Sequence, residues 1–78
     1  MKKVLLIEDD KNLSSSLSEY LKQEGFHILQ AGDLKEAIAG LQDSPEMIIL
    51  DWMLPDGQGI DFLRELRRTE VNLPVLLL

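Results

Sequence analysis

The sequence predicts an α/β domain built on a parallel sheet, on three observations. Two aliphatic runs, Lys3 to Ile7 and Met47 to Leu50, are apolar on both faces, the pattern of central strands covered by helices on each side. Between and after them lie segments of helical period, giving the order β-α-β-α-β-α-β that requires right-handed crossovers. Both runs end in acids, Glu8-Asp9-Asp10 after the first and Asp51 after the second. Ligands of open α/β sheets bind beyond the carboxyl ends of the strands, so these carboxylates can converge on one spot.

Each element follows from local chemistry. Lys3 to Ile7 is the first strand. From Lys11 to Glu24 the residues Leu13, Leu17, Tyr20 and Leu21 form an apolar stripe, with Asp9 or Asp10 as N-cap and Gly25 as the stop. This first helix leaves Ser14-Ser15-Ser16 on a solvated face. Phe26 to Ala31 reads as a strand near a sheet edge, broken by Gly32. Asp33 with Glu36 has the spacing of a capping box for a second helix, whose stripe is Leu34, Ala37, Ile38 and Leu41 and which Asp43-Ser44-Pro45 ends.

Met47 to Asp51 is the third strand. Pro55-Asp56-Gly57 is a turn, in which Asp56 is a turn former rather than a ligand. A third helix carrying Ile60, Leu63 and Leu66 runs to about Thr69, and Leu73 to Leu78 is a fourth strand. There is no internal repeat, low-complexity tract or linker.

Composition narrows the function. The 78 residues allow one domain, residues 1–78, and such a chain buries only about 60–65% of the surface its unfolded form exposes. Cysteine is absent, so no disulfide supplements the core, and a reducing cytoplasm is the simplest compartment. The net charge of −6, from 14 acids against 8 bases, argues against a grip on a nucleic-acid backbone. Met1-Lys2-Lys3 followed by Val4 to Ile7 imitates a signal peptide, but the apolar stretch is too short and acids follow at once. No run approaches the length of a transmembrane helix.

Like charges at about 4 Å repel by roughly 4 kcal/mol at an effective dielectric of 20, so an acidic cluster holds protons or recruits a cation. Carboxylates, a main-chain carbonyl and waters suit Mg²⁺.

Glu8-Asp9-Asp10, the single acid Asp51, and Leu54-Pro55-Asp56-Gly57-Gln58-Gly59 after it resemble the receiver domain of two-component response regulators. Asp51 to Gly57, Gly59 and the helix Ile60 to Arg68 are most like receivers of transcriptional regulators with winged-helix output domains. The resemblance implies a flavodoxin-like fold with strand order 2-1-3-4. It implies that Asp51 accepts a phosphoryl group from a sensor histidine kinase, that Asp9 ligates Mg²⁺ directly, that Glu8 reaches it through water, and that the main-chain carbonyl of Met53 completes the set. Family domains continue with a helix, a strand and a helix after the fourth strand, bringing a Ser or Thr and a Lys to the phosphoryl group, whereas this sequence stops at Leu78.

The expectation is therefore a fragment that pairs or swaps through its aliphatic fourth strand, and through the apolar face its first helix would expose, with another copy or with the missing half. DNA binding would belong to an absent output domain. Four other readings are weaker. An Asp-nucleophile phosphatase needs a second Asp two residues on, where Met53 stands and cannot move a proton. A dinucleotide-binding domain needs a Gly-rich turn where Glu8-Asp9-Asp10 would repel phosphates. His27 as a phosphodonor or metal ligand gives way to a plain surface histidine, because it lies on the edge strand beside Phe26, away from the acids. Arg64, Arg67 and Arg68, interrupted by Glu65 and Glu70, form an exposed helix face with i, i+4 pairing rather than a nucleic-acid surface. Trp52 packs beside the acids. The serious alternative is a non-switching receiver that acts as a protein-interaction module.

Overall fold

The computed structural model describes residues 2–78. A four-stranded, all-parallel sheet runs in the order β2-β1-β3-β6, formed by β1 (Lys3–Ile7), β2 (His27–Ala31), β3 (Met47–Leu50) and β6 (Val75–Leu77). Helices α1 (Lys11–Gln23), α2 (Leu34–Gly40) and α3 (Gly59–Arg67) make the crossovers. A two-residue hairpin, β4 (Met53–Leu54) and β5 (Gly57–Gln58), stands between β3 and α3. Apart from that hairpin the strand order is the expected 2-1-3-4, with β1 and β3 in the middle.

Two apolar layers flank the sheet because successive strand side chains point to opposite faces. Leu5 and Ile7 of β1 join Ile48 and Leu50 of β3 on one face, covered by Ala37 of α2 and by Phe62 and Leu66 of α3. Val4, Leu6, Ile28 and Ile49 form the other layer, against Leu17 and Leu21 of α1. Both faces of β1 and β3 are thus closed, which explains their unbroken aliphatic sequence.

The expected stripe of α1 is rotated. Ser14 and Ser18 are buried and Leu17 and Leu21 half-buried, whereas Leu13 and Tyr20 are 43% and 61% exposed. Ser14 is therefore not on the solvated face expected for it, although Ser15 and Ser16 are exposed. Positions 14, 17, 18 and 21 share one helix face, and the small serines let that face lie close on the sheet. The Ser14 Oγ also accepts a hydrogen bond from Gln30 Nε2 at 3.0 Å.

Other helices keep their expected places with local changes. In α2 Leu34 and Ala37 face inward but Ile38 is 60% exposed. A short 3₁₀ turn, Leu41–Asp43, and Ser44 at φ 54° end that helix before Pro45. The capping box is shifted by one residue. Asp33 Oδ1 accepts from Glu36 N at 2.8 Å, but Glu36 Oε1 reaches back to Gly32 N, at 2.7 Å, rather than to the N-cap amide. In α3 the deepest residues are Phe62 and Leu66, with Ile60 and Leu63 half-buried. Its arginines pair at i, i+3 instead of i, i+4, Arg64 with Asp61 at 3.8 Å and Arg68 with Glu65 at 3.1 Å, all largely exposed.

Edge strand β6 is as aliphatic as expected, with Leu76 50% and Leu77 36% exposed. His27 is exposed at the start of β2, the opposite end of the sheet from the acids. Among the described residues no helix is long and apolar enough to cross a membrane.

Candidate acidic site at the strand ends

Register brings the acids together. β1 and β3 are paired neighbours with Ile7 opposite Leu50, so the residues that follow, Glu8 and Asp51, leave the sheet side by side. The ladder continues one step past each strand. Asp51 N donates to Ile7 O and Glu8 N to Ala31 O, both at 2.9 Å, which fixes the two backbones where their side chains begin.

The three acids after β1 divide their work. Asp10 is the N-cap of α1, its Oδ1 accepting from Asn12 N at 3.0 Å and Leu13 N at 3.2 Å. That satisfies amides which a helix start otherwise leaves open. Glu8 and Asp9 remain, and a carboxylate oxygen from each lies within 4.8 Å of one from Asp51. Glu8 is 6% exposed, Asp51 half-buried and Asp9 exposed, so the cluster runs from the core to solvent.

Burial raises the Glu8 carboxyl from its ordinary 4.5 to about 7, helped by a hydrogen bond with Asp51 and by the negative charges of Asp51 and Asp9. The Asp10 amide works in the opposite direction without prevailing. Glu8 Oε2 is buried and has no hydrogen-bond partner. An orphaned carboxylate oxygen costs free energy that a cation can recover. Three hard oxygen donors at this spacing fit a small divalent ion such as Mg²⁺, with room for waters.

The loop after β3 is held tightly around Asp51. Trp52 N donates to Asp51 Oδ1 at 2.8 Å, and Gly59 N donates to Trp52 O at 2.8 Å. A Cβ on Gly59 would collide with the main-chain oxygen of Asp51, so only glycine lets α3 start this close to the strand end. Met53 lies two residues beyond Asp51, in β4. Trp52 is 48% exposed and borders the site rather than the core. A groove of about 680 Å³ lies between α2 and α3, lined by Leu34, Ile38, Phe62 and Leu73 among others, and contains none of these acids.

Two contributors escaped the sequence. Gly59 was visible only as part of a motif, its contact being set by α3. Asp56 does more than form a turn, because Oδ1 accepts from Leu34 N at 2.8 Å and Oδ2 from Lys35 N at 3.2 Å, 22 and 21 residues away. The available signal was a short helix whose local cap, Asp33, could not serve all of its first amides.

A doubly wound parallel sheet with acids gathered where β1 and β3 end is the flavodoxin-like receiver fold. Residues 4–78 match the response regulator receiver domain, and the chain belongs to that family.

Its relatives are longer. The transcriptional regulatory protein CpxR of Klebsiella pneumoniae subsp. pneumoniae (strain HS11286) is 47% identical over 78 residues, 100% of this chain and 33% of that protein. The chain thus spans about a third of the length of the curated relatives it matches. Among solved structures, the non-phosphorylated HemR receiver domain from Leptospira biflexa has a TM-score of 0.90 at 33% identity, covering 99% of this chain and 63% of that one. The response regulator TrrA from Thermotoga maritima, in complex with Mg(2+)-BeF, has a TM-score of 0.92 at 28% identity, covering 99% of this chain and 68% of its own.

Proposed function

We propose that this receiver domain is a phosphoacceptor of a two-component system, with Asp51 as the residue phosphorylated by a sensor histidine kinase. The observation that carries this reading is the convergence of Glu8, Asp9 and Asp51 oxygens within 4.8 Å, with Glu8 Oε2 buried and unpartnered. Glu8, Asp9, Asp51 and the main-chain carbonyl of Met53 are the groups that would hold Mg²⁺. When bound, the cation neutralises charge on the transferring phosphoryl oxygens.

The chain's own residues supply position. The strand end and the Trp52 amide orient the Asp51 carboxylate, and Asp9 lies exposed on the solvent side of the cluster. A carboxylate oxygen of Asp51 forms the bond to phosphorus as the N–P bond of the donor phosphohistidine breaks, and the imidazole nitrogen keeps the electron pair. Phosphoryl transfer asks mainly for such positioning and charge neutralisation.

The relatives are transcriptional regulatory proteins, and the output proposed for this chain is a DNA-binding domain acting in the cytoplasm.

The test is labelling with a small phosphodonor such as acetyl phosphate in Mg²⁺, followed by intact mass. The expected result is one phosphoryl adduct that Asp51→Asn abolishes. An unlabelled protein that still binds Mg²⁺ would select the non-switching interaction module instead.

A further inference from the structure

The carboxylate of Asp56 makes hydrogen bonds between two parts of the fold that lie far apart in sequence. It sits at the tip of the β4–β5 hairpin and takes the amide hydrogens of Leu34 and Lys35 in the first turn of α2. Those bonds hold its carboxyl below the usual carboxylate range, although the side chain is exposed. A helix cap normally comes from the residue just before the helix, and α2 has one in Asp33, which serves Glu36 N. The long-range bonds therefore fix the hairpin as much as the helix.

A hairpin of two residues per strand is marginal without anchors, and here there are anchors at both ends. At the base, Gly59 N holds Trp52 O and Trp52 N holds Asp51 Oδ1. At the tip, Asp56 grips α2, and Gly57 lies so close to Leu34 that an added Cβ would come within 2.7 Å of Leu34 Cδ1. Between the two anchors lie Met53 and Leu54, the latter buried.

We infer that Asp56 is a positioning residue for the cation site: by tying the hairpin tip to the start of α2, it sets the main chain at Met53 relative to Glu8, Asp9 and Asp51. The inference rests on the cation reading of the acidic cluster and extends it to a side chain outside that cluster. Groups that orient the ligands of a metal are commonly worth about 10- to 100-fold in metal affinity.

The experiment is a Mg²⁺ titration of this chain followed by Trp52 fluorescence, with ¹⁵N spectra reporting the Leu34 and Lys35 amides. Asp56→Ala is expected to bind Mg²⁺ roughly tenfold more weakly, with both amide signals moved. Asp56→Asn, whose amide oxygen still accepts from one amide, is expected to recover part of that loss. Asp33→Ala removes the other cap of α2 and leaves the hairpin untouched, so its Mg²⁺ affinity should match the wild type.

Wild-type affinity in Asp56→Ala with the amide signals moved would overturn the inference, as would an equal loss in Asp33→Ala, which would make helix stability the cause. Should Asp56→Ala fail to fold, Asp56→Asn against Asp33→Ala decides, equal affinities refuting the positioning role. A wild-type protein that binds no Mg²⁺ would instead refute the cation reading beneath it.

Discussion

Replacing Glu8 by Gln should stabilise the metal-free protein, and only above a defined pH. Glu8 is 6% exposed and its carboxyl is raised from 4.5 to about 7 by burial, then by its hydrogen bond with Asp51 and the charges of Asp51 and Asp9. A carboxyl with a raised folded-state value binds its proton more tightly in the native protein than in the unfolded chain. Between about pH 4.5 and 7 the native state therefore carries the extra proton, and stability falls as pH rises through that window. Below it both states are protonated and Glu8 costs nothing. Above pH 7 the full cost is present, about 3 kcal/mol from the separation of the two values.

A stability cost of that size is large for a small domain, whose total is on the order of 5 kcal/mol. Urea denaturation in a chelator from pH 4 to 8.5 should show wild type and Glu8→Gln converging below about pH 4.5 and separating by up to about 3 kcal/mol above pH 7. Subtracting one curve from the other removes the common titration of the other carboxylates. A difference that stayed flat across the window, or a wild type more stable than Glu8→Gln at pH 8 without metal, would refute the assignment of the burial cost to Glu8.

Three further outcomes follow from the same geometry. Mg²⁺ binding near pH 7 should release protons, because a cation beside Glu8 favours the ionised form of a carboxyl raised to about 7; calorimetry in buffers of different ionisation enthalpy measures the release. Gly59→Ala should destabilise by about 2 kcal/mol or more and shift the Asp51 and Trp52 amides, since the new methyl meets the Asp51 main-chain oxygen and lies 3.2 Å from Leu50 Cγ. Asp10→Ala should cost about 1 kcal/mol by thermal denaturation through loss of its bonds to Asn12 N and Leu13 N, while Mg²⁺ affinity is kept.

What the sequence disclosed follows from how local each feature is. β1 and β3 were legible because both of their faces are closed, so every residue from Val4 to Ile7 and from Ile48 to Leu50 is buried. The junction of Glu8 with Asp51 needed only that the two strands be parallel neighbours. The rotation of α1 was hidden, because apolar periodicity weights Leu13 and Tyr20 while contact with the sheet favours small side chains such as Ser14 and Ser18. Asp56 was hidden for another reason: its partners, Leu34 and Lys35, are brought to it only once α2 and the hairpin have both docked.

The acidic site and the fold pull in opposite directions, and the register explains why the fold tolerates it. Pairing of Ile7 with Leu50 is dictated by the aliphatic core, yet the same pairing sets Glu8 beside Asp51 and leaves Glu8 Oε2 without a partner. Any shift that separated the acids would drag the buried runs Val4 to Ile7 and Ile48 to Leu50 out of register and expose side chains on the wrong face. Core packing thus holds like charges together against their repulsion. A cation that binds the folded cluster and not the unfolded chain then stabilises the protein by mass action. The strain at Glu8 would then be the local source of the affinity that the proposed cation binding requires, and the strands behind it are what keep the strain from relaxing.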